Sequence, residues 1–138
     1  MVDKSILWSK VSALQKHIDR VRAKRDVSLH VFKQDLDRQE SVLFNLQMAI
    51  QNCVDMAAHI VSEESLGVPG STNELFYLLE ERGYIQHDLT EKMVQGVGFR
   101  NLVVHEYGKV DLETVYRVCH ENVMDLQEFA RVLGERFG

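Results

Sequence analysis

A single proline in 138 residues, two cysteines and one tryptophan set the first limits on this chain. With proline this rare and β-branched runs few, little interrupts helix, and the expectation is an all-α fold. The two cysteines, Cys53 and Cys119, both fall on apolar helical stripes. They read as reduced core residues of a cytoplasmic protein rather than as a disulfide. No apolar run is long enough to span a bilayer and no secretory h-region opens the sequence, so neither membrane insertion nor export is expected. The chain also lacks a strand-to-helix glycine fingerprint, a Walker loop, a His-Glu-x-x-His and a Cys-x-x-Cys. Cys119-His120 stands alone without further ligands at workable spacing, so neither a metal nor a cofactor is expected.

Positive charge is also short: 16 Lys/Arg face 21 Asp/Glu, for a net charge of −5. That balance argues against a general nucleic-acid coat protein, whose binding rests on neutralising phosphates. The deficit is uneven. Residues 1–38 carry nine Lys/Arg against five Asp/Glu, whereas residues 39–138 carry seven against sixteen. The basic N-terminal region has two readings: it helps to hold RNA or an acidic partner, or it is a solvated helix face of mixed charge.

What the chain does have is apolar periodicity at three and four residues, over a length that suits one domain, residues 1–138. Leu7, Val11, Leu14, Ile18 and Val21 predict a first helix over 5–25, with Lys16, Arg20 and Lys24 as a basic ridge on another face. After a break at 26–30, a short helix is expected near 31–36. Leu43, Leu46, Ile50, Cys53, Ala57 and Ile60 predict the longest helix, over 39–64, stopped by Gly67 and Pro69. Within it, Asp55 and His59 are i,i+4 neighbours expected to pair locally. Ser71 and Glu74 have capping-box spacing, opening a helix that Gly83 ends. Asp88 with Glu91 is expected to cap the next helix, and Asp111 the last. The last helix, with its seam from Leu112 to Phe137, is expected to pack antiparallel against both the first helix and the longest one. The expectation is a bundle of about five helices.

One stretch concentrates chemistry: Phe99-Arg100-Asn101-Leu102-Val103-Val104-His105-Glu106-Tyr107. At about 100° per residue, Leu89, Met93, Val94 and Val97 share a face on which Arg100, Asn101, Val104, His105 and Tyr107 follow. Phe99, Leu102 and Val103 lie opposite. The apolar face therefore changes sides near Gly96 and Gly98, by a bend or by contact on both sides, and the polar groups are expected to face something other than free water. Arg100, on the extension of a core stripe, needs a partner. It stands about 140° from His105, and Tyr107, on a continued helix, about 20° from Arg100. Guanidinium and imidazole flanking a groove suit a phosphodiester. The first offers a planar fork for phosphate oxygens and the second exchanges protons near neutrality. Attack by an RNA 2′-hydroxyl on its own phosphate is chemistry that such a pair can assist without a metal.

The bare spacing Arg-x4-His occurs three times, at Arg25…His30, Arg82…His87 and Arg100…His105, so it discriminates little by itself. Only the third copy has Asn after the arginine, a predicted helix beneath it and a tyrosine two residues past the histidine. From the residues alone two readings stay open: a catalytic pair, or an arginine and a histidine satisfied at a helix end.

Met93-Val94-x-x-Val97-Gly98-Phe99-Arg100-Asn101-x-x-Val104-His105-x-Tyr107, followed by Asp111-Leu112 and Val115-Tyr116, resembles the HEPN superfamily. Within it the chain is similar to the HepT-like toxins of MNT–HEPN toxin–antitoxin pairs. Ala49-Ile50, Asp55 and Ala58-His59-Ile60 resemble that family's second long helix. The resemblance implies a helical bundle that dimerises through the motif-bearing helix and brings two motifs to one cleft. It implies a metal-independent endoribonuclease with Arg100 and His105 as the catalytic pair and Asn101 in support. It further implies a nucleotidyltransferase antitoxin that silences the toxin by moving AMP from ATP to Tyr107. A reading of another class makes the chain a non-catalytic helical partner or substrate-binding subunit of a nucleotidyltransferase, with Arg100, His105 and Tyr107 as docking residues.

Overall fold

The computed structural model describes residues 1–138 as six α-helices without a strand: α1 (Lys4–Arg25), α2 (Leu29–Gln34), α3 (Leu36–Glu63), α4 (Thr72–Glu81), α5 (His87–His105) and α6 (Leu112–Phe137), with a 3-10 turn, Tyr107–Lys109, between the last two. Five long helices and one short one match the expected all-α bundle. No helix is long and apolar enough to cross a membrane.

Helix direction follows from the side-chain ties. Lys10 to Asp55 (3.0 Å) and His17 Nδ1 to Asn45 Oδ1 (2.8 Å) lay α1 antiparallel to α3. Arg25 Nη1 donates to the Cys119 carbonyl (2.7 Å), while Trp8 lies against Gly134, so α1 is antiparallel to α6 as well. It follows that α3 and α6 run parallel. The expected antiparallel packing of α6 thus holds for α1 and fails for α3, because both long helices flank the same α1. Gly96 beside Asn122, and Lys92 3.7 Å from Asp125, set α5 antiparallel to α6. The C-terminal half of α5 therefore lies at the end of the bundle where α6 begins.

Burial holds these helices together. α1 buries Leu7, Leu14, Ile18 and Val21, with Val11 half-buried, and α3 buries the whole predicted stripe. Phe32, Phe76 and Phe129 are fully buried, and Phe76 meets Phe129 edge-on with ring centroids 5.4 Å apart. Each such side chain contributes roughly 1.5–3 kcal/mol on leaving water. Cys53 and Cys119 are free and buried, as expected. Burial raises the Cys119 thiol to about 11 and pushes that of Cys53 higher still, so both stay protonated and inert near neutrality.

Helix ends show where local chemistry departs from the pattern. α3 starts three residues before the expected Gln39, capped by Asp35, which accepts from the Arg38 amide (3.1 Å). Its first turn buries little, so the apolar period begins late. α3 ends in a Schellman motif: Leu66 N–H donates to the Val61 carbonyl (3.0 Å) with Ser65 left-handed at φ 53°. Thus Ser65 makes the turn expected of Gly67. α4 ends the same way, Tyr84 N–H to Leu79 carbonyl (3.0 Å), with Gly83 at φ 74° as expected. At the start of α4, Ser71 Oγ accepts from the Glu74 amide (3.3 Å), but the Glu74 carboxylate turns to the Gly70 amide, which leaves half of the expected capping box.

Two local expectations fail. Asp88 does not cap α5: Gln86 holds the cap position with no side-chain bond, and Asp88 sits in the first turn, where it suits the helix dipole. Asp55 and His59 do not pair with each other. Asp55 takes Lys10 and the Gln51 amide (2.7 Å), and His59 Nε2 accepts from the Asp3 amide (3.0 Å). Both tie α3 to the N-terminal segment, a long-range pairing that i,i+4 spacing does not reveal. Asp111 does cap α6, accepting from Glu113 N (3.4 Å).

Candidate active site

α5 is one uninterrupted helix through Gly96 and Gly98, and its buried side changes along its length. Leu89, Met93 and Val97 are buried in the first half; Phe99 and Val103 replace them in the second, with Leu102 half-buried. Phe99 and Leu102 turn toward α6, where they share a groove with Thr114 and Val118. Gly96 lets α6 approach closely, since a Cβ there would lie 3.1 Å from Asn122 Oδ1. The switch of faces read from the sequence is present, and it requires no break in the helix.

The other face of the second half is open. Asn101, Val104 (52% exposed) and His105 face solvent, and Arg100 is half-buried. Neither Arg100 nor His105 has a hydrogen bond or carboxylate partner within the chain, although all sixteen Lys/Arg stand among 21 carboxylates. The expected shielding of these polar groups is therefore not supplied by a single chain. On a continuous helix the two side chains leave the axis about 140° apart and about 7.5 Å along it. That separation holds a phosphate group between them more naturally than it holds a direct contact.

Tyr107 departs from expectation. α5 stops at His105, with the Glu106 amide still donating to the Leu102 carbonyl (2.8 Å), and Tyr107 opens the 3-10 turn. The angular placement of Tyr107 on a continued helix therefore does not apply. Its ring is 55% exposed, and its hydroxyl makes no hydrogen bond in the chain. Glu106 beside it is occupied by Lys109 at 3.4 Å.

The other two copies of the spacing serve the scaffold. Arg25 is spent on the Cys119 carbonyl, and His30 lies across the α1–α2 break, next to the Gln34 amide (3.3 Å). Arg82 is the C-cap of α4, and His87 sits between Glu80 (3.1 Å) and Glu91 (3.5 Å). Only the third copy rides on one helix with both members unengaged.

The groove between α5 and α6 carried no sequence signal. It is about 350 Å³ and lined by Gln95, Thr114, Arg117, Glu121, Asn122 and Asp125 among others. Asn122 Oδ1 is buried without a partner, and burial raises the Asp125 carboxyl against the pull of Lys92. These residues lie a helix turn apart on α6 and meet α5 only after folding, and a glycine such as Gly96 is the one hint of close packing that a sequence offers.

The fold and the motif place this chain in a known class. Residues 14–133 match the model of the Ribonuclease HepT-like family, and the chain belongs to it. It is 32% identical over 128 residues to the mRNA nuclease HepT of Shewanella oneidensis, covering 93% of this chain and 96% of that protein. It is 23% identical over 115 residues to the tRNA nuclease HepT of Aphanizomenon flos-aquae, covering 83% and 78% respectively. The solved structure of a tri-AMPylated Shewanella oneidensis HEPN toxin in complex with an MNT antitoxin superposes with a TM-score of 0.87 at 34% identity, over 96% of this chain and 98% of that one.

Proposed function

We propose that this protein is an endoribonuclease toxin of a toxin–antitoxin pair, held in check by a nucleotidyltransferase antitoxin. The observation that carries the reading is the third Arg-x4-His copy, where a half-buried Arg100 and an exposed His105 flank the open side of one helix with no side-chain partners in their own chain. In the reaction the RNA 2′-hydroxyl attacks the adjacent phosphorus. His105 assists the proton transfer, the P–O5′ bond breaks, and a 2′,3′-cyclic phosphate and a 5′-hydroxyl result. Arg100 carries the charge that gathers on the phosphate oxygens. Asn101, at i,i−4 from His105, supports the same face with a neutral donor and acceptor. These roles need no metal ion.

One site of this kind is sparse. A second copy of the chain, packed through α5, sets two arginines and two histidines around one cleft and covers Val104, which a lone chain leaves in water. Tyr107, beside that cleft with a free hydroxyl, is the acceptor for AMP: its phenol oxygen attacks the α-phosphorus of ATP and pyrophosphate leaves. A bulky anion then occupies ground suited to the substrate phosphate. The protein works in the cytoplasm, where RNA and ATP are both available.

The test is an incubation of the purified protein with total RNA and a chelator, with end-group analysis of the fragments. Cyclic-phosphate and 5′-hydroxyl ends are the expected products. Intact RNA, or 5′-phosphate ends, would overturn the reading and favour a non-catalytic partner of the nucleotidyltransferase.

A further inference from the structure

α1 carries a feature that the reaction centre does not use. Seven of the sixteen basic residues lie on this helix, and only Lys10 meets a carboxylate, Asp55. Elsewhere the pattern is reversed: of the other nine, Lys33, Arg38, Lys92, Lys109, Arg117 and Arg131 are all in ion pairs. In a chain with 21 carboxylates, unneutralised positive charge is concentrated on this helix, with Arg82, Arg100 and Arg136 the scattered remainder. Arg22 and Arg25 turn inward, to Gln127 and the Cys119 carbonyl. Lys4 stands at the start of the helix, on the opposite face; Lys16, Arg20 and Lys24 remain, all exposed and all without a side-chain hydrogen bond or ion pair. The carboxylates near them are few: Asp19 is hydrogen-bonded by Gln15 (2.8 Å), Asp26 lies past the helix end, and Asp35, close enough to feel Lys24, is paired with Arg38 (3.3 Å).

The three cations repeat every four residues, so they form a line with steps of about 6 Å along the axis. A single small anion needs convergent donors, which a line does not offer. A polyanion with charges repeating along a strand matches it. A protein partner fits less well, because the ridge's neighbours on α1 itself are Ser9, Ser12, Ala13 and Ala23, and the exposed aromatic nearby, Phe44 of α3, lies beyond His17 at its edge. The line is also aimed. Lys24 is its C-terminal member, next to Arg25, which is fastened to Cys119; just beyond, the Tyr116 hydroxyl donates to the Val27 carbonyl (2.6 Å). Those residues belong to the first half of α6, against which Phe99 and Leu102 of the motif segment pack. Ridge and motif thus share one end of the bundle.

We propose that Lys16, Arg20 and Lys24 form a backbone-phosphate track for the RNA strand outside the cleft, feeding it toward Arg100 and His105. The track rests on the nuclease reading above. It makes the affinity for long RNA electrostatic and indifferent to sequence along α1, while the choice of the cut phosphate stays with the cleft.

The test compares Lys16→Gln/Arg20→Gln/Lys24→Gln with a control triple, Lys4→Gln/Arg82→Gln/Arg136→Gln, which removes the same charge off the ridge, Lys4 being at the far end of α1 on its opposite face. Both are built on His105→Ala so that RNA is bound and not cut. Binding of a long single-stranded oligoribonucleotide is followed against salt. The ridge triple should lower the slope of log affinity against log salt by about 2, at about 0.7 per lost phosphate contact, and weaken binding roughly tenfold or more near 0.1 M salt. The control should keep the parent slope. With His105 restored, the loss should appear in KM for long RNA and shrink on a dinucleotide too short to reach α1. Circular dichroism checks that each triple is folded.

A ridge triple with the parent slope, or a control triple with the same loss, overturns the proposal. So does a ridge triple that binds RNA normally but no longer captures the nucleotidyltransferase, because α1 is then a protein dock. A parent that cuts RNA while the ridge triple is indistinguishable from it overturns the track alone. A parent that neither binds nor cuts RNA overturns the nuclease reading and the track with it.

Discussion

Gly96 and Asn122 meet where α5 crosses α6, and a Cβ on Gly96 would stand 3.1 Å from Asn122 Oδ1. One turn later on the same helix comes Arg100, so this contact sets how the motif is carried. Gly98, two residues on, has nothing within 4 Å of the same notional atom. The two glycines therefore answer differently to alanine. Gly98→Ala should gain roughly 0.5–1 kcal/mol, the usual benefit of replacing a mid-helix glycine. Gly96→Ala should give up most or all of that gain to crowding of a buried amide. Chemical denaturation of both variants checks this, and equal gains would show that α6 yields freely.

The two Schellman turns make a second pair. Ser65 and Gly83 both hold left-handed backbone, at φ 53° and 74°, but only one is glycine. Left-handed backbone costs a residue with a Cβ about 1 kcal/mol. Ser65→Gly should therefore stabilise the protein by up to about that amount, and Gly83→Ala should destabilise it by a similar amount. Thermal melts read both signs, and a Ser65→Gly variant less stable than the parent would contradict the assignment.

Acid stability should split between two aspartates. Asp35 caps α3, and its hydrogen bond from the Arg38 amide holds its carboxyl below the ordinary 3.8. It contributes stability above that value and loses it as pH falls through the lower folded value. Asp35→Asn keeps a capping group while removing the charge, so it should flatten the acid limb of the stability curve. Asp125 is the opposite case. Burial raises its carboxyl above 3.8 despite Lys92, so its ionised form is a cost once pH exceeds the folded value. Asp125→Asn should raise Tm at about pH 7, with the gain gone at about pH 3. A gain that persists in acid would point to packing instead of charge.

Tyr107 lies outside α5 with a free hydroxyl, and it is the proposed site of silencing. Incubation with the nucleotidyltransferase and ATP should add one or more AMP units by intact mass, mapped to Tyr107, and cleavage should fall in step. Tyr107→Phe should take up none. Modification elsewhere with Tyr107 untouched would refute the assignment.

Much of this was legible in the residues. The stripes of α1, α3 and α6 and the change of face along α5 follow from spacing, because burial on a helix is periodic. What stayed hidden depends on contacts between distant segments. Asp55 and His59 looked like local partners, yet they are claimed by Lys10 and by the Asp3 amide, 45 and 56 residues away in sequence. Ser65 gives no sign of a helix stop in the sequence, because glycine is the usual mark of one. Tyr107 looked helical because periodicity does not say where a helix ends. The sequence showed Arg100 and His105 as a spacing that occurs three times; the fold separates that copy from the two whose histidines are engaged by other residues.

The most direct test of the central claim is RNA cleavage by Arg100→Ala and His105→Ala beside His30→Ala and His87→Ala. The first two should lose about 10²–10⁴-fold in rate with helicity unchanged, and the last two should cut like the parent. Parental cleavage by both Arg100→Ala and His105→Ala would contradict it.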